Sequence, residues 1–231
     1  MTRHEKAAAL QRTQLFGAIA AESLWDLAGN ALERRMKQNE VLFMAGDSAK
    51  GLFVIVSGSL RAFRESHEGR EQTIHVERAG ATLAEVPLFD NGAYPSTVTA
   101  EEDAVILFLA KDDVRQFLLE NPSAALSALG ILAGRLRRVA ALAESLSLQD
   151  VAQRVAAMLI EEAIKQGGDL RDGMSFSLPF SHQKLAADLG SVREVITRNL
   201  HKLVHERIIE IRGHRIVVLH AAALQARAES N

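Results

Sequence analysis

The chain has 231 residues, 48% of them hydrophobic, and 27 basic against 29 acidic side chains give a formal net charge of −2. That length suits two domains with separate cores, and the charge excludes a protein that is basic all over. Cysteine is absent, which excludes disulfides, thiol chemistry and cysteine-ligated zinc or iron–sulfur clusters.

The first residues, "MTRHEKAAALQRTQLFGAIAAESL", are amphipathic and broken by charge. They carry no signal-peptide apolar run, and no stretch nears the roughly 20 residues of a membrane helix. A cytoplasmic protein without a membrane contact is the expectation. Residues 10–37 read as short helices, with Leu15, Ile19, Leu24, Leu27 and Leu32 at near-helical spacing.

From Val41 the texture changes to short apolar runs: "VLFMA", "LFVIVSGSL", "QTIHVE", "STVTA" and "AVILFL". Gly46, Gly58, Gly69, Gly80 and Gly92 punctuate them at intervals of 11 or 12 residues. Regular strands with a glycine turn every dozen residues predict a β sandwich or jelly roll.

After Leu109 the pattern turns helical. "AKDDVRQFLLENP" predicts a helix ending before Pro122, and a longer one follows over 122–148. Leu129, Leu132, Leu136, Val139, Ala143 and Leu146 step along it by 3, 4, 3, 4, 3, a heptad seam that predicts a homodimer. Asp150 with Gln153 three residues on is a helix-start pair, so a new domain begins near 150. A helix over 151–165 ends at Gly167–Gly168, and two small strands are expected within 170–180. Helices then follow over 182–189 and 192–206 around Gly190, and "IIEIRGHRIVVL" reads as a hairpin. Helix-turn-helix plus hairpin is a winged helix. The tail after His220 is Ala-rich low-complexity sequence.

The overall reading is α+β: a β jelly roll with N-terminal helices (1–121), a dimerisation helix (122–149) and a winged helix-turn-helix (150–231). Residues 181–215 hold seven Lys/Arg against four acids, a local +3 that leaves the rest at −5, together with four of the eight histidines. A modest basic segment on an acidic body suits a regulated nucleic-acid contact.

In "SVREVITRNL" the residues Val195 or Ile196, Leu200 and Leu203 face inward. Arg193, Glu194, Thr197 and Arg198 are left on the outward N-terminal half, where a recognition helix carries base-reading side chains. Arg suits guanine O6 and N7, and Glu accepts from cytosine N4. Lys202, further along, suits a phosphate. The competing reading is a solvated helix in which Glu194 forms a capping box with Ser191. GxSxG, HExxH, P-loop and GxGxxG motifs are all absent, and Glu101–Glu102–Asp103 reads as a solvated turn, so an enzyme is not expected. A winged helix that binds protein is the remaining class. Affinity for double-stranded DNA that falls steeply with salt separates the two.

Over about residues 12–220 the chain resembles the CRP/FNR family of bacterial transcription regulators. The resemblance rests on "GDSAKGLFVIVSGSLRAF" (46–63), "GATLAEVPLFDNGAYPSTVTA" (80–100) and "LGSVREVITRNL" (189–200). It implies base contacts from Arg193, Glu194 and Arg198, and phosphate contacts from Ser181 and Gln183. It also implies a homodimer on a palindromic operator with a half-site like TGTGA, and RNA polymerase as a partner if the protein activates. An effector pocket is implied at Ala84, Glu85, Pro95, Ser96 and Val139. In cAMP-binding members Gly-Glu and Arg-Ser hold the ribose and phosphate, and Thr-Ser reaches the base. Here Ala84, Pro95 and Val139–Ala140 stand in place of the Gly, the Arg and the Thr-Ser. Pro supplies neither charge nor N–H, so cAMP is not expected. Three uses of the pocket remain open: another small effector, a haem held by His67 or His75 as in gas-responsive (NO/CO) relatives, or a pocket filled by side chains.

Overall fold

A computed structural model describes residues 1–178 and 181–229. They group into two compact units, 1–64 with 73–140 and 65–72 with 141–178 and 181–229.

The first unit opens with α1 (Arg3–Gln11), capped reciprocally by Thr2 and Glu5. A 3-10 turn (Ala21–Leu24) and α2 (Trp25–Asn30) follow. Next come β1 (Leu32–Met36), β2 (Val41–Phe43), β3 (Gly51–Ser57), β4 (Ser59–Glu65), β5 (Glu71–Arg78) and β6 (Thr82–Leu83). After α3 (Val86–Asp90) come β7 (Thr97–Ala100), β8 (Ala104–Ala110) and α4 (Lys111–Glu120). The strands form two sheets, ordered β1-β8-β3-β6 and β2-β7-β4-β5.

One core lies between the sheets: Phe43, Phe53, Ile55, Leu60, Leu83, Tyr94, Val98 and Ile106 draw from both. A second core packs Leu10, Phe16 and Leu24 against Leu52, Val54, Leu107 and Leu109 on the opposite face of the first sheet. β3 and β8 are therefore covered on both sides. This is why "LFVIV" is continuously apolar where a half-exposed strand would alternate.

The jelly roll is borne out, with a correction at its start. The stretch 10–37 is not helical throughout, because 32–36 is a strand. β1 pairs with β8 along its length, from Leu32↔Phe108 to Met36↔Ala104. Gly46, Gly58, Gly69 and Gly80 hold positive φ at the turns. The fifth turn uses Asn91 (φ 58°) rather than Gly92.

Helix α5 (Pro122–Leu148) carries the predicted seam. In the second unit α6 (Val151–Gly167) starts at the predicted cap, with Asp150 and Gln153 bonded reciprocally. β9 (Ser175–Ser177), α7 (His182–Asp188), α8 (Arg193–His205), β10 (Ile209–Arg212) and β11 (Arg215–Val218) complete the winged helix. Its core joins Val155, Leu159, Phe176, Leu185, Ile196, Leu200 and Ile216. Two expectations change here. One described strand, β9, stands where two were expected, and residues 179–180 lie outside the described set. The Ala-rich tail is a helix, α9 (Ala221–Glu229), anchored by buried Leu224.

Candidate functional site

The first unit encloses a cavity of about 310 Å³, and all five expected residues line it: Ala84, Glu85, Pro95, Ser96 and Val139. The fold brings them together because β6 runs straight into α3, residues 95–96 lead into β7, and α5 closes the side. Ala84 sits at φ 71°, a conformation glycine adopts freely. The backbone thus keeps a glycine's shape although alanine occupies the position.

Glu85 is fully buried, and both its oxygens are engaged. Oε1 accepts from the Thr82 hydroxyl and Oε2 from the Arg135 guanidinium. Arg135 also donates to the Thr82 carbonyl at 2.6 Å and lies 3.6 Å from Glu77, which Arg138 reaches at 2.9 Å. The ion pair therefore ties the β6–α3 corner to α5. The sequence reading missed Arg135 and Arg138. The signal available was Glu85 itself, a carboxylate inside an apolar cassette that requires a buried cation.

The remaining wall is largely apolar: Phe43, Leu83, Pro87, Tyr94, Val98 and Val139. Phe43 and Tyr94 stack at 3.8 Å, and the Tyr94 hydroxyl accepts from the Lys50 N–H at 3.2 Å. Arg64 donates to the Pro95 carbonyl at 3.0 Å. His75 reaches the cavity from β5, and its buried Nε2 has no hydrogen-bond partner. Burial, then the charges of Arg135 and Arg138, push its pKa down to about 4, so the ring is neutral at pH 7. His67, the other histidine considered for haem, is exposed on the β4–β5 turn and does not line this cavity.

Along α5 the seam residues Leu129, Leu136, Val139 and Leu146 are exposed, at 58%, 71%, 46% and 36%, and so is Ala143. Leu132 is half-buried. One apolar edge of a 27-residue helix thus faces out.

In the second unit Ser181 caps α7, accepting from the Lys184 N–H at 3.2 Å. The turn to α8 is closed by the Ser191 N–H donating to the Ala186 carbonyl at 2.8 Å, with Gly190 at φ 61°. Buried Arg154 donates to the Leu189 carbonyl at 2.9 Å and fastens the same turn to α6. On α8, Ile196, Leu200 and Leu203 point into the core, while Arg193, Glu194, Arg198 and Lys202 are exposed. The Ser191–Glu194 capping box does not form. Val192 is the N-cap and makes no side-chain cap bond, which leaves Glu194 pointing outward.

Thr197 differs from its neighbours. It is half-buried, its hydroxyl donates to the Arg193 carbonyl at 2.9 Å, and His182 Nδ1 lies 2.8 Å from the same oxygen. That hydroxyl is engaged within the helix pair and is poorly placed to read a base. A cleft beside it, bounded by Ser181, His182, Gln183, Arg193 and the wing residue His214, opens between the helix pair and the wing.

Residues 33–121 match the family model of the cyclic nucleotide-binding domain, and 153–227 match that of the Crp-like helix-turn-helix domain. The chain is similar to the Cyclic AMP receptor protein of Thermus thermophilus, 30% identical over 217 residues that cover 94% of this chain and 97% of the relative. It is similar in fold to a putative transcriptional regulator of the crp/fnr family from Eubacterium rectale. That match has TM-score 0.75 and 22% identity, and covers 95% of this chain and 100% of that one. A second solved relative is the c-di-GMP-responsive global regulator CLP of Xanthomonas campestris, with TM-score 0.73, 24% identity, and 87% and 99% covered. Among the described residues no single helix is long and apolar enough to cross a membrane.

Proposed function

The chain belongs to the CRP/FNR family of DNA-binding transcription regulators, and from that premise we propose that it works as a homodimer on a palindromic operator. One observation carries the reading. The first turns of α8 present Arg193, Glu194 and Arg198 outward, and the apolar face of the same helix anchors it in the core. Arg193 and Arg198 each suit a guanine and Glu194 a cytosine. Ser181, Gln183 and Lys202 hold phosphates, and Thr197 buttresses Arg193 through its carbonyl.

The exposed edge of α5 supports the dimer, because burying it removes an apolar stripe that would otherwise face water. Two copies of α8 about a two-fold axis require half-sites about one helical turn apart. The domains divide at 1–121, 122–149 and 150–231, with α5 as the joint.

The Thermus relative is named for cyclic AMP. Ala84, Pro95 and Val139 on this cavity wall, and a Glu85 already held by Arg135, support an effector other than cAMP. Selection from random DNA tests the main claim. A palindrome with guanine in each half-site is expected, and an enriched motif without guanine would overturn base reading by Arg193.

A further inference from the structure

The first turn of α8 lacks the usual helix start. Val192 is its N-cap and makes no side-chain cap bond. The first N–H groups of a helix have no partner within it, and a side-chain cap ordinarily satisfies one of them and steadies the turn. Arg193 and Glu194 are the first two residues of that uncapped turn. Side chains that read bases from it need another anchor.

The anchor comes from α7. The Thr197 hydroxyl donates to the Arg193 carbonyl at 2.9 Å, and His182 Nδ1 lies 2.8 Å from the same hydroxyl oxygen. A carbonyl cannot donate, and a hydroxyl has a single hydrogen. Only one assignment satisfies both contacts. The Thr197 hydrogen goes to the Arg193 carbonyl, so the hydrogen between Thr197 and His182 sits on Nδ1. His182 Nδ1–H therefore donates to Thr197, whose O–H donates to Arg193, and each bond polarises the next. His182 opens α7 directly after its Ser181 cap, and further along α7 the Ala186 carbonyl accepts from the Ser191 N–H at 2.8 Å. α7 thus grips the start of α8 at two points, one on each side of Arg193.

We infer that His182 is a positioning residue for DNA recognition: through Thr197 it fixes the first turn of α8, and with it Arg193, in the pose that reads a base. The inference rests on the proposed base reading by Arg193 and adds a residue that serves selectivity without touching the base. A turn ordered before DNA arrives avoids the ordering cost at binding. A side chain held in one pose rejects a wrong base to which a mobile one would adapt.

Competition binding on the full-length protein tests this, with the selected operator, its single-base variants and a salt series. The base pair to watch is the one whose preference Arg193→Ala relaxes. Phe at 182 fills the ring's space and cannot donate, Val at 197 keeps threonine's shape without the hydroxyl, and Asn at 182 puts an amide N–H near the place of Nδ1. His182→Phe and Thr197→Val should each lose about three- to tenfold of the discrimination at that base pair, and His182→Asn should stay within about twofold of the wild type. The double variant should lose no more than either single one, and the salt slope should not change. Additive losses, an unaffected Thr197→Val, or a shallower salt slope with uniform weakening on all sequences would each overturn the relay. If His182→Phe fails to fold, nitrogen NMR of the wild type carries the test. Neutral His182 should hold its hydrogen on Nδ1, and a hydrogen on Nε2 alone would refute the assignment. The two claims fail separately. A wild type that selects no guanine sinks the base reading, whereas one that selects it while every variant keeps full discrimination sinks the relay alone.

Discussion

Removing the Arg135 guanidinium leaves the Glu85 carboxylate, which has no solvent exposure, held only by the Thr82 hydroxyl. Arg135→Ala also deletes the 2.6 Å bond to the Thr82 carbonyl, and one of the two arginines near Glu77. The Glu77 contact counts for little, since Arg138 remains on it at 2.9 Å. The buried pair dominates. Breaking such a pair from one side costs about 3–5 kcal/mol, because an uncompensated charge stays behind. For a protein of this size that lowers the melting temperature by roughly 6–20 °C. Circular dichroism melts of the wild type, Arg135→Ala, Glu85→Gln and the double variant measure the effect. The double variant should be more stable than Arg135→Ala by about 2 kcal/mol, since an amide tolerates burial far better than a lone carboxylate. If Arg135→Ala melts within about 2 °C of the wild type, or the double variant shows the plain sum of the two single losses, the coupling is refuted.

Three further expectations follow from the same geometry. His75 stays neutral in the fold down to about pH 4, whereas the unfolded chain takes up its proton near 6.5. Stability should thus be full above pH 6.5 and fall as pH drops from 6.5 toward 4, by up to about 3 kcal/mol. Urea titrations at pH 7.5 and 4.5 should show the difference, and His75→Gln should flatten it. Leu136, 71% exposed on the seam, becomes a charge in Leu136→Asp, and sedimentation should then report a monomer with weak operator binding. A dimer that persists in this variant would move the interface elsewhere. Arg198→Ala should cost roughly 1–3 kcal/mol and relax preference at one base pair, while Lys202→Ala should weaken all sequences alike and reduce the salt slope. Identical profiles for the two variants would contradict the division between base and phosphate contacts.

Much of this molecule is legible in the residues because the signals are local. The glycine-punctuated apolar runs, the heptad steps of α5, the Asp150–Gln153 cap and the helix pair around Gly190 each depend on neighbours within a turn or two. The tertiary structure decided what depends on distant partners. "LERRM" looks like helix surface, with Leu32 63% exposed, and becomes strand only because β8, about 70 residues later, supplies its hydrogen bonds. Arg135 looks like one more charge on a long helix until β6 and α3 place Glu85 against it, 50 positions away. Thr197 has the spacing of a base contact, yet His182 from the preceding helix lies within hydrogen-bonding distance of its hydroxyl. Spacing along a chain sets which face a side chain occupies. Whether that side chain is still available to a ligand depends on which groups, remote in sequence, have already satisfied it.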